Sequence, residues 1–544
     1  MPIPPQHPLT IKKRDGRLVA FDRSKIVAAI MRAAQSVQGS DYRLAEDLAD
    51  QVITALDRTR DTPETVSEVE QIQDGIEKVL IENGHARTAK AFILYRAERS
   101  RVREKKSEMM EWLSDALQAK ERTSGINAPT KHHAVGRALT AQFNLQRLLP
   151  KFERDAHQNG DWHIHGLGDF GQTPHSGYVP LGEIFREGLR TTGGILPPPN
   201  SVADLAAVTT ASILGALPEV HGALCIPNFD AIWALHLPSN VSEGELEQGI
   251  ITLVHHLNLL MSRQIEGQPR TTFHVGLETS TFGRTITRAL LQQLKQLQES
   301  GRPTPHLVFQ LQEGVNLKPQ DPNFSLFQEA LDVAHPQGGI DFLHFQNPLA
   351  VFGDQVCLPC PPAHSRGVAL GARITINLPR LALRAKRQGF ETTELLCTLL
   401  DGAARHLEER NKRLSHRGPE TFPFLYAAQS PPTGAAWNTA PVAINLMGLA
   451  EALRVLSGQD HGASPSAQAE GINLIKVAGS RVADLNSTHK INIILQGTPA
   501  DEAGQRFAQQ DRREFGIIRG ITDKKTYTTG IGLPHDSEAD HARE

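Results

Sequence analysis

Four cysteines, an N-terminal run of cations and three histidines are the residues of this 544-residue sequence whose types and spacing point to chemistry. Cys225, Cys357, Cys360 and Cys397 are too few to staple a chain of this size, so in a reducing compartment they read as buried residues, metal ligands or reactive thiols. Cys357 and Cys360 form a CxxC in QVCLPCPPAHSRG. A single such pair, with no second one, is weak ground for a zinc site, and an inert buried thiol or a redox pair explains it as well. Lys12, Lys13, Arg14, Arg17 and Lys25 put five cations within fourteen residues. Beside a helix start, clustered Lys and Arg can neutralise and orient a triphosphate; the competing reading is solvated surface. His163, His165 and His221 stand as single imidazoles, each open to a structural or a catalytic role.

The elements that must position these residues are legible from periodicity. Thr10 to Phe21 reads as a hairpin turning at Asp15-Gly16. Asp22 and Ser24 can cap a helix with apolar Ile26, Ile30, Ala33, Ala34 and Val37. A second helix carries Leu44, Leu48, Val52 and Leu56 on one face. A third carries Val69, Ile72, Ile76, Val79 and Leu80, with Gly84 as terminator. A fourth runs from Thr88 to about Lys106 and becomes a charged, solvated helix. Beyond residue 120, helices alternate with short β-rich runs at Leu307–Leu311, Ile374–Leu378 and Ile491–Leu495, which argues for a layered or barrel α/β architecture. Breaks at Pro197–Pro199, Pro359–Pro362 and Pro431–Gly434 read as loops.

Composition narrows the function classes. A formal net charge of −3 leaves no electrostatic footprint for a nucleic-acid backbone, so bound nucleotides are expected to be small molecules. The first residues, MPIPPQHPLTIKKRDG, lack the apolar run of a signal peptide, and no later stretch is expected to span a bilayer. The expected location is the cytoplasm.

KKRDGRLVAFDRSKI (Lys12 to Ile26), followed by VEQIQDGIEKVLIENGHARTAKAFILYRAER (Val69 to Arg99), resembles the ATP-cone of ribonucleotide reductases. The resemblance implies that Lys13, Arg14 and Lys25 contact nucleotide phosphates, joined by Arg96 on the last helix. It also implies ATP and dATP as allosteric effectors that change activity, often through oligomeric state.

From about Asn127 to Pro534 the sequence resembles the body of anaerobic, class III ribonucleoside-triphosphate reductases. GDWHIHGLGDF (Gly160 to Phe170) is similar to the family's HIHDLD segment and HGALCIPNFD (His221 to Asp230) to its HGGQ-x-IPNFD segment. GARITINLPRLAL (Gly371 to Leu383) resembles the strand and turn beyond the finger loop, and ILQGTPADEAGQRFAQQD and GIIRGITDKKTYTTGIGLP continue in family order. The implied fold is a ten-stranded α/β barrel with a finger loop through its centre, preceded by a small, mostly α cone. The expected division is 1–106 for the cone, 107–534 for the barrel and 535–544 for a disordered tail. Cys357 falls where the family carries its thiyl-radical cysteine, with Cys360 as the alternative, and Asn377 would hold the substrate near that thiol.

Three departures qualify the resemblance. The zinc-binding CxxC…CxxC module and the RxxGY glycyl-radical motif do not occur in residues 1–544. A glycyl radical is therefore expected from a separate polypeptide, and no metal site is expected in this chain. Ser176 stands near the place of the family's second active-site cysteine. Gly166, Gly168, Ala223 and Leu224 replace polar or glycine positions around the nucleotide. The implied partners are ribonucleoside triphosphates, a radical-SAM activase, a glycyl-radical subunit and a second copy of the chain. A catalytically inactive paralogue that binds nucleotides as a regulator is the alternative.

Overall fold

The computed structural model describes residues 10–12, 18–58, 67–97, 99, 128–191, 193–261, 270–299, 305–334, 339–344, 367–417, 421–426, 440–489, 491–497, 501–530 and 532–533. Cys357, Cys360, Lys13 and Arg14 lie outside the described residues. The chain divides into two compact units, 1–126 and 127–544. The expected boundary at 106/107 lies in a stretch outside the described residues.

In the first unit, β1 (Thr10–Lys12) pairs antiparallel with β2 (Leu18–Ala20), forming the expected hairpin, and parallel with β3 (Ser67–Glu68). Three long helices follow the predicted faces: α1 (Arg23–Gln35), α2 (Tyr42–Arg58) and α3 (Val69–Glu82); α4 covers 86–97. Asp22 caps α1 by accepting from the Ser24 backbone N–H. Glu68 and Gln71 form a reciprocal capping box at the start of α3. The chain leaves α3 through Gly84 at φ +78°, a backbone region that costs glycine nothing. Ile26, Ile30, Val52, Ile53, Ile76, Leu80 and Phe92 form one core. Val37 and Leu44, expected on the apolar faces, are exposed. Val37 lies in the turn after α1 and Leu44 in the first turn of α2.

The second unit holds a six-stranded and a four-stranded sheet. The first is ordered β11-β10-β9-β8-β5-β12, with β5 (Ser176–Tyr178), β8 (Ala223–Ile226), β9 (Arg270–Val275), β10 (His306–Leu311), β11 (Ile340–His344) and β12 (Gly367–Leu370). The second is ordered β15-β14-β13-β4, with β4 (Trp162–Ile164), β13 (Arg373–Asn377), β14 (Val442–Met447) and β15 (Ile493–Gln496). A small hairpin, β6 (Leu189–Thr191) with β7 (Gly194–Leu196), stands apart. Each large sheet is parallel except for one antiparallel edge, β12 on β5 and β4 on β13. The parallel strands are joined through helices, and their residues are mostly buried, polar ones included. Phe229, Trp233, Phe273 and Phe309 anchor the core of the six-stranded half; Trp162, Ile374, Leu407 and Leu453 anchor the other.

One stretch corrects the sequence reading. Val202–Glu219 is long and apolar enough to cross a membrane by length and composition, with a mean hydropathy of 1.2 over 18 residues. In the structure 61% of it is buried, with Leu205, Ile213 and Leu217 in the core of the six-stranded half. Its apolarity is that of a core helix.

Candidate functional site

The first unit contains a cavity of about 340 Å³ enclosed by the hairpin strands, α1, α3 and α4. Its walls combine apolar Phe21, Ile72 and Tyr95 with cationic Lys25, Arg32 and Arg99. Lys25 is exposed and 3.5 Å from Asp22, which leaves its ammonium accessible to a ligand. Arg96 also lines the cavity, but its guanidinium is held by Glu70 at 2.7 Å, Asp74 at 2.6 Å and Glu77 at 2.8 Å. Those acids recur at i, i+4 and i+7 along α3, so one helix face presents all three to one cation. Sequence reading placed Arg96 near the ligand and missed these partners.

In the second unit, Asn377 ends β13 and is fully buried. Its side-chain oxygen caps the helix Leu378–Gln388 by accepting from the Arg380 N–H, while its amide donates to the Gly160 carbonyl and to Asp511. Asp511 also accepts from Arg380 at 2.7 Å and from the Tyr527 hydroxyl at 2.9 Å. Arg380 further contacts Asp161 and Glu514. Burial raises the Asp511 carboxyl above its ordinary range despite Arg380 and Asn377, which favour the charged form. The Asn377 amide thus belongs to a closed polar network tying β13 to the segments at 160–161, 501–515 and 527.

The imidazoles form a column. Ring centroids lie 5.5 Å apart for His157–His163, 4.7 Å for His163–His165, 6.2 Å for His165–His175 and 5.1 Å for His175–His221. His163 lies on β4 and His165 just past it, with Nε2 2.7 Å from the Thr375 hydroxyl on β13. His175 precedes β5 and His221 precedes β8, with Nδ1 of the former 3.3 Å from Nε2 of the latter. The column therefore bridges the two sheets. Burial pushes His163, His165, His175 and His221 well below the ordinary imidazole value, and nearby Arg373 adds to it in each case. His157 is pushed down to about 3, chiefly by burial. Sequence reading named three of these five histidines and missed His157 and His175, which carry no motif of their own. It also missed Arg373 and Arg410, both buried. The one available signal was a charged residue opening the apolar strand RITIN.

Ser176 lies on β5, buried, its strand parallel to β8. On β8, Cys225 is buried and disulfide-bonded, whereas the sequence reading took the four cysteines for buried residues, metal ligands or reactive thiols. Cys397 is free and half-buried on the helix Thr392–Ser415. Among the described residues no cluster of three or more His, Cys, Asp or Glu could hold a metal.

A cavity lined by apolar and cationic side chains in a small helical unit, and a second unit of two mainly parallel sheets bridged by polar side chains, define a two-part α/β protein. Comparison with known proteins fixes the family. Residues 121–544 match the profile of the anaerobic ribonucleoside-triphosphate reductases and residues 9–101 that of the ATP cone domain. The chain belongs to the anaerobic ribonucleoside-triphosphate reductase family. It is 25% identical to the anaerobic ribonucleoside-triphosphate reductase of Escherichia coli over 583 residues, covering 96% of this chain and 81% of that protein. With its counterpart from phage T4 it is 23% identical, covering 74% of each. The crystal structure of the Thermotoga maritima anaerobic ribonucleotide reductase in complex with dATP and CTP shares the fold, with a TM-score of 0.61 at 14% identity over 80% of this chain and 81% of that one.

Proposed function

We propose that this chain reduces ribonucleoside triphosphates by thiyl-radical chemistry under adenine-nucleotide control, with its glycyl radical supplied by a separate polypeptide and a radical-SAM activase. The two sheets, six strands and four, would close as the ten-stranded barrel of that family, and Cys357 would carry the thiyl radical. The observation that carries the regulatory half is the first unit's cavity, where Lys25, Arg32 and Arg99 surround walls suited to a base. ATP or dATP would place its phosphates on Lys13, Arg14 and Lys25. Arg96 would join them by exchanging a carboxylate for phosphate, two charge-assisted partners of the same geometry. Association into dimers or larger assemblies would follow nucleotide occupancy.

Calorimetry on the full chain tests the effector site. ATP and dATP should bind, and Lys13→Ala with Arg14→Ala should weaken binding by about 2–4 kcal/mol. Unaltered affinity in the double variant would remove those residues from the site. Turnover is tested anaerobically with an activase and a separately expressed glycyl-radical domain: product should require that domain and vanish with Cys357→Ser.

A second reading, an inactive nucleotide-binding regulator, is favoured by one observation: the Asn377 amide is already committed to Asp511 and Gly160. Nucleotide binding with no turnover in any combination would select it.

A further inference from the structure

The helix Asp501–Phe515 turns two unlike faces in opposite directions. Ala503, Phe507 and Ala508 pack inward against Met447 and Tyr527. Glu502, Arg506, Gln509 and Arg512 recur at helical spacing on the other side and, with Lys524 and Lys525, line an open cavity of about 560 Å³. Four cations and one carboxylate thus share one recess in a chain whose net charge is −3. None of these residues lines the cone cavity or belongs to the imidazole column.

Backbone carbonyls, rather than acids, hold the two arginines in place. Arg506 donates to the carbonyl of His157 and, at 3.4 Å, to that of Trp162. Arg512 donates through Nε to the Thr522 carbonyl at 2.8 Å and through Nη2 to the Lys524 carbonyl at 2.6 Å, which clamps the 522–525 loop beside the helix. The Thr522 hydroxyl stiffens that loop, donating to the Gly516 carbonyl and accepting from the Ile518 N–H, each at 2.7 Å. Lys524 is committed in part, with Nζ 3.6 Å from the buried Glu451. Lys525 is exposed. A guanidinium carries five N–H donors, and carbonyls take two of them in each arginine. Carbonyl oxygens supply partial charge only. Burial pushes Arg506 down to about 10, although the charge of Glu502 opposes it.

We infer that this recess binds a chain of linked phosphates, free or at the end of a larger molecule, with Arg506, Arg512 and Lys525 as its cationic contacts. The inference goes beyond the reductase reading and holds whether or not the chain turns over. Arg506 and Arg512 stand six positions apart on one helix. At 1.5 Å per residue that is about 9 Å along the axis. One tetrahedral oxyanion cannot touch both, whereas linked phosphates present oxygens to each. A planar guanidinium matches two oxygens of one phosphate, and an ammonium on a clamped loop adds a point charge. Gln509, midway between the arginines, sets a neutral amide that can donate where a carboxylate would repel the ligand. Glu502, one turn before Arg506, bounds the cationic row at that end.

The test reads acetylation of Lys525 by an amine-specific acetyl ester, mapped by mass spectrometry on the full chain at low ionic strength. Inorganic tripolyphosphate should protect Lys525 saturably, at a concentration at least about tenfold below that of orthophosphate. Equal protection by ATP places the phosphates on a nucleotide; protection by tripolyphosphate and not by ATP makes the ligand a free oligophosphate. Lys25 reports the cone in the same spectra, so a failure there and a failure here are seen separately. Gln509→Glu, which sets a carboxylate between the two arginines on an exposed position, should raise the half-protecting concentration about tenfold, and Gln509→Ala by no more than a few-fold. Absence of protection by tripolyphosphate overturns the inference. So does an unchanged half-protecting concentration in Gln509→Glu, checked by circular dichroism to be folded. Protection by a hexaglutamate peptide at a lower concentration than tripolyphosphate overturns it as well, and would make the recess a surface for an acidic protein segment.

Discussion

Two arginines buried in the same unit are treated in opposite ways. Arg380 meets three carboxylates, Asp161, Asp511 and Glu514. Arg410 meets two backbone carbonyls, the ring of Phe170 and a column of neutral imidazoles. The first arrangement is closed: each charge has its opposite inside the protein, and Asn377 and Tyr527 fill the remaining positions around Asp511. The second is open. A closed ionic network holds segments distant in sequence together, whereas an open one balances its charge only in part, at a cost in stability.

The largest effect separating the two should appear with pH. His157, His163, His165, His175 and His221 all have folded values below the ordinary 6.5. Above pH 6.5 they are neutral in both folded and unfolded chains, and their contribution is fully present. As pH falls below 6.5 the unfolded chain takes up protons that the folded chain refuses, so stability is lost toward the folded values, near 3 for His157. Each refused proton contributes up to about 1.4 kcal/mol per pH unit. Five together should give a steep fall in melting temperature between pH 6.5 and 5, measurable by scanning calorimetry. A flat profile there would break the picture of a buried neutral column.

Arg380→Met comes next. It leaves Asp161 and Asp511 buried without their cation and should cost about 3–5 kcal/mol, seen as a lowered urea midpoint for the second unit. Arg410→Met should cost less, about 1–3 kcal/mol, because the lost partners are carbonyls and a cation–π contact while an unbalanced charge also disappears. Equal losses for the two substitutions would show that Arg410 is as fully compensated as Arg380.

Much of this contrast was invisible in the sequence, for a physical reason. The pairing of β1 with β2, the faces of α1 to α3, and the strands β10, β13 and β15 are local, set by turn chemistry and by the period of apolar residues, and each lies within a residue or two of its expected place. The cone cations were legible because they are close together in the sequence. The buried clusters join residues far apart in the chain: Asn377 and Asp511 are 134 positions apart, and His165 and Thr375 are 210. Periodicity carries no information at that range. A sequence pattern flagged Gly166 only as a departure; the structure adds that a Cβ there would lie 2.2 Å from Nε2 of His221.

The smallest expected effect concerns Asn377, which sits on the closed side of the comparison. Asn377→Ala removes a helix cap, worth about 1 kcal/mol, and one amide donor to Asp511, which keeps Arg380 and Tyr527. The Gly160 carbonyl loses its donor as well. A total near 1–2 kcal/mol is expected, read as a shift in urea midpoint with the slope unchanged. Asn377→Asp separates capping from charge. An aspartate can still accept the Arg380 N–H as a cap, but it brings a second carboxylate against Asp511 in a buried site, so it should be the more damaging of the two despite its closer shape. If Asn377→Asp were instead the milder change, capping would dominate at this position and the Asp511 contact would contribute little. The closed network would then consist of Arg380 and its acids alone, and the Asn377 amide would be available to a substrate.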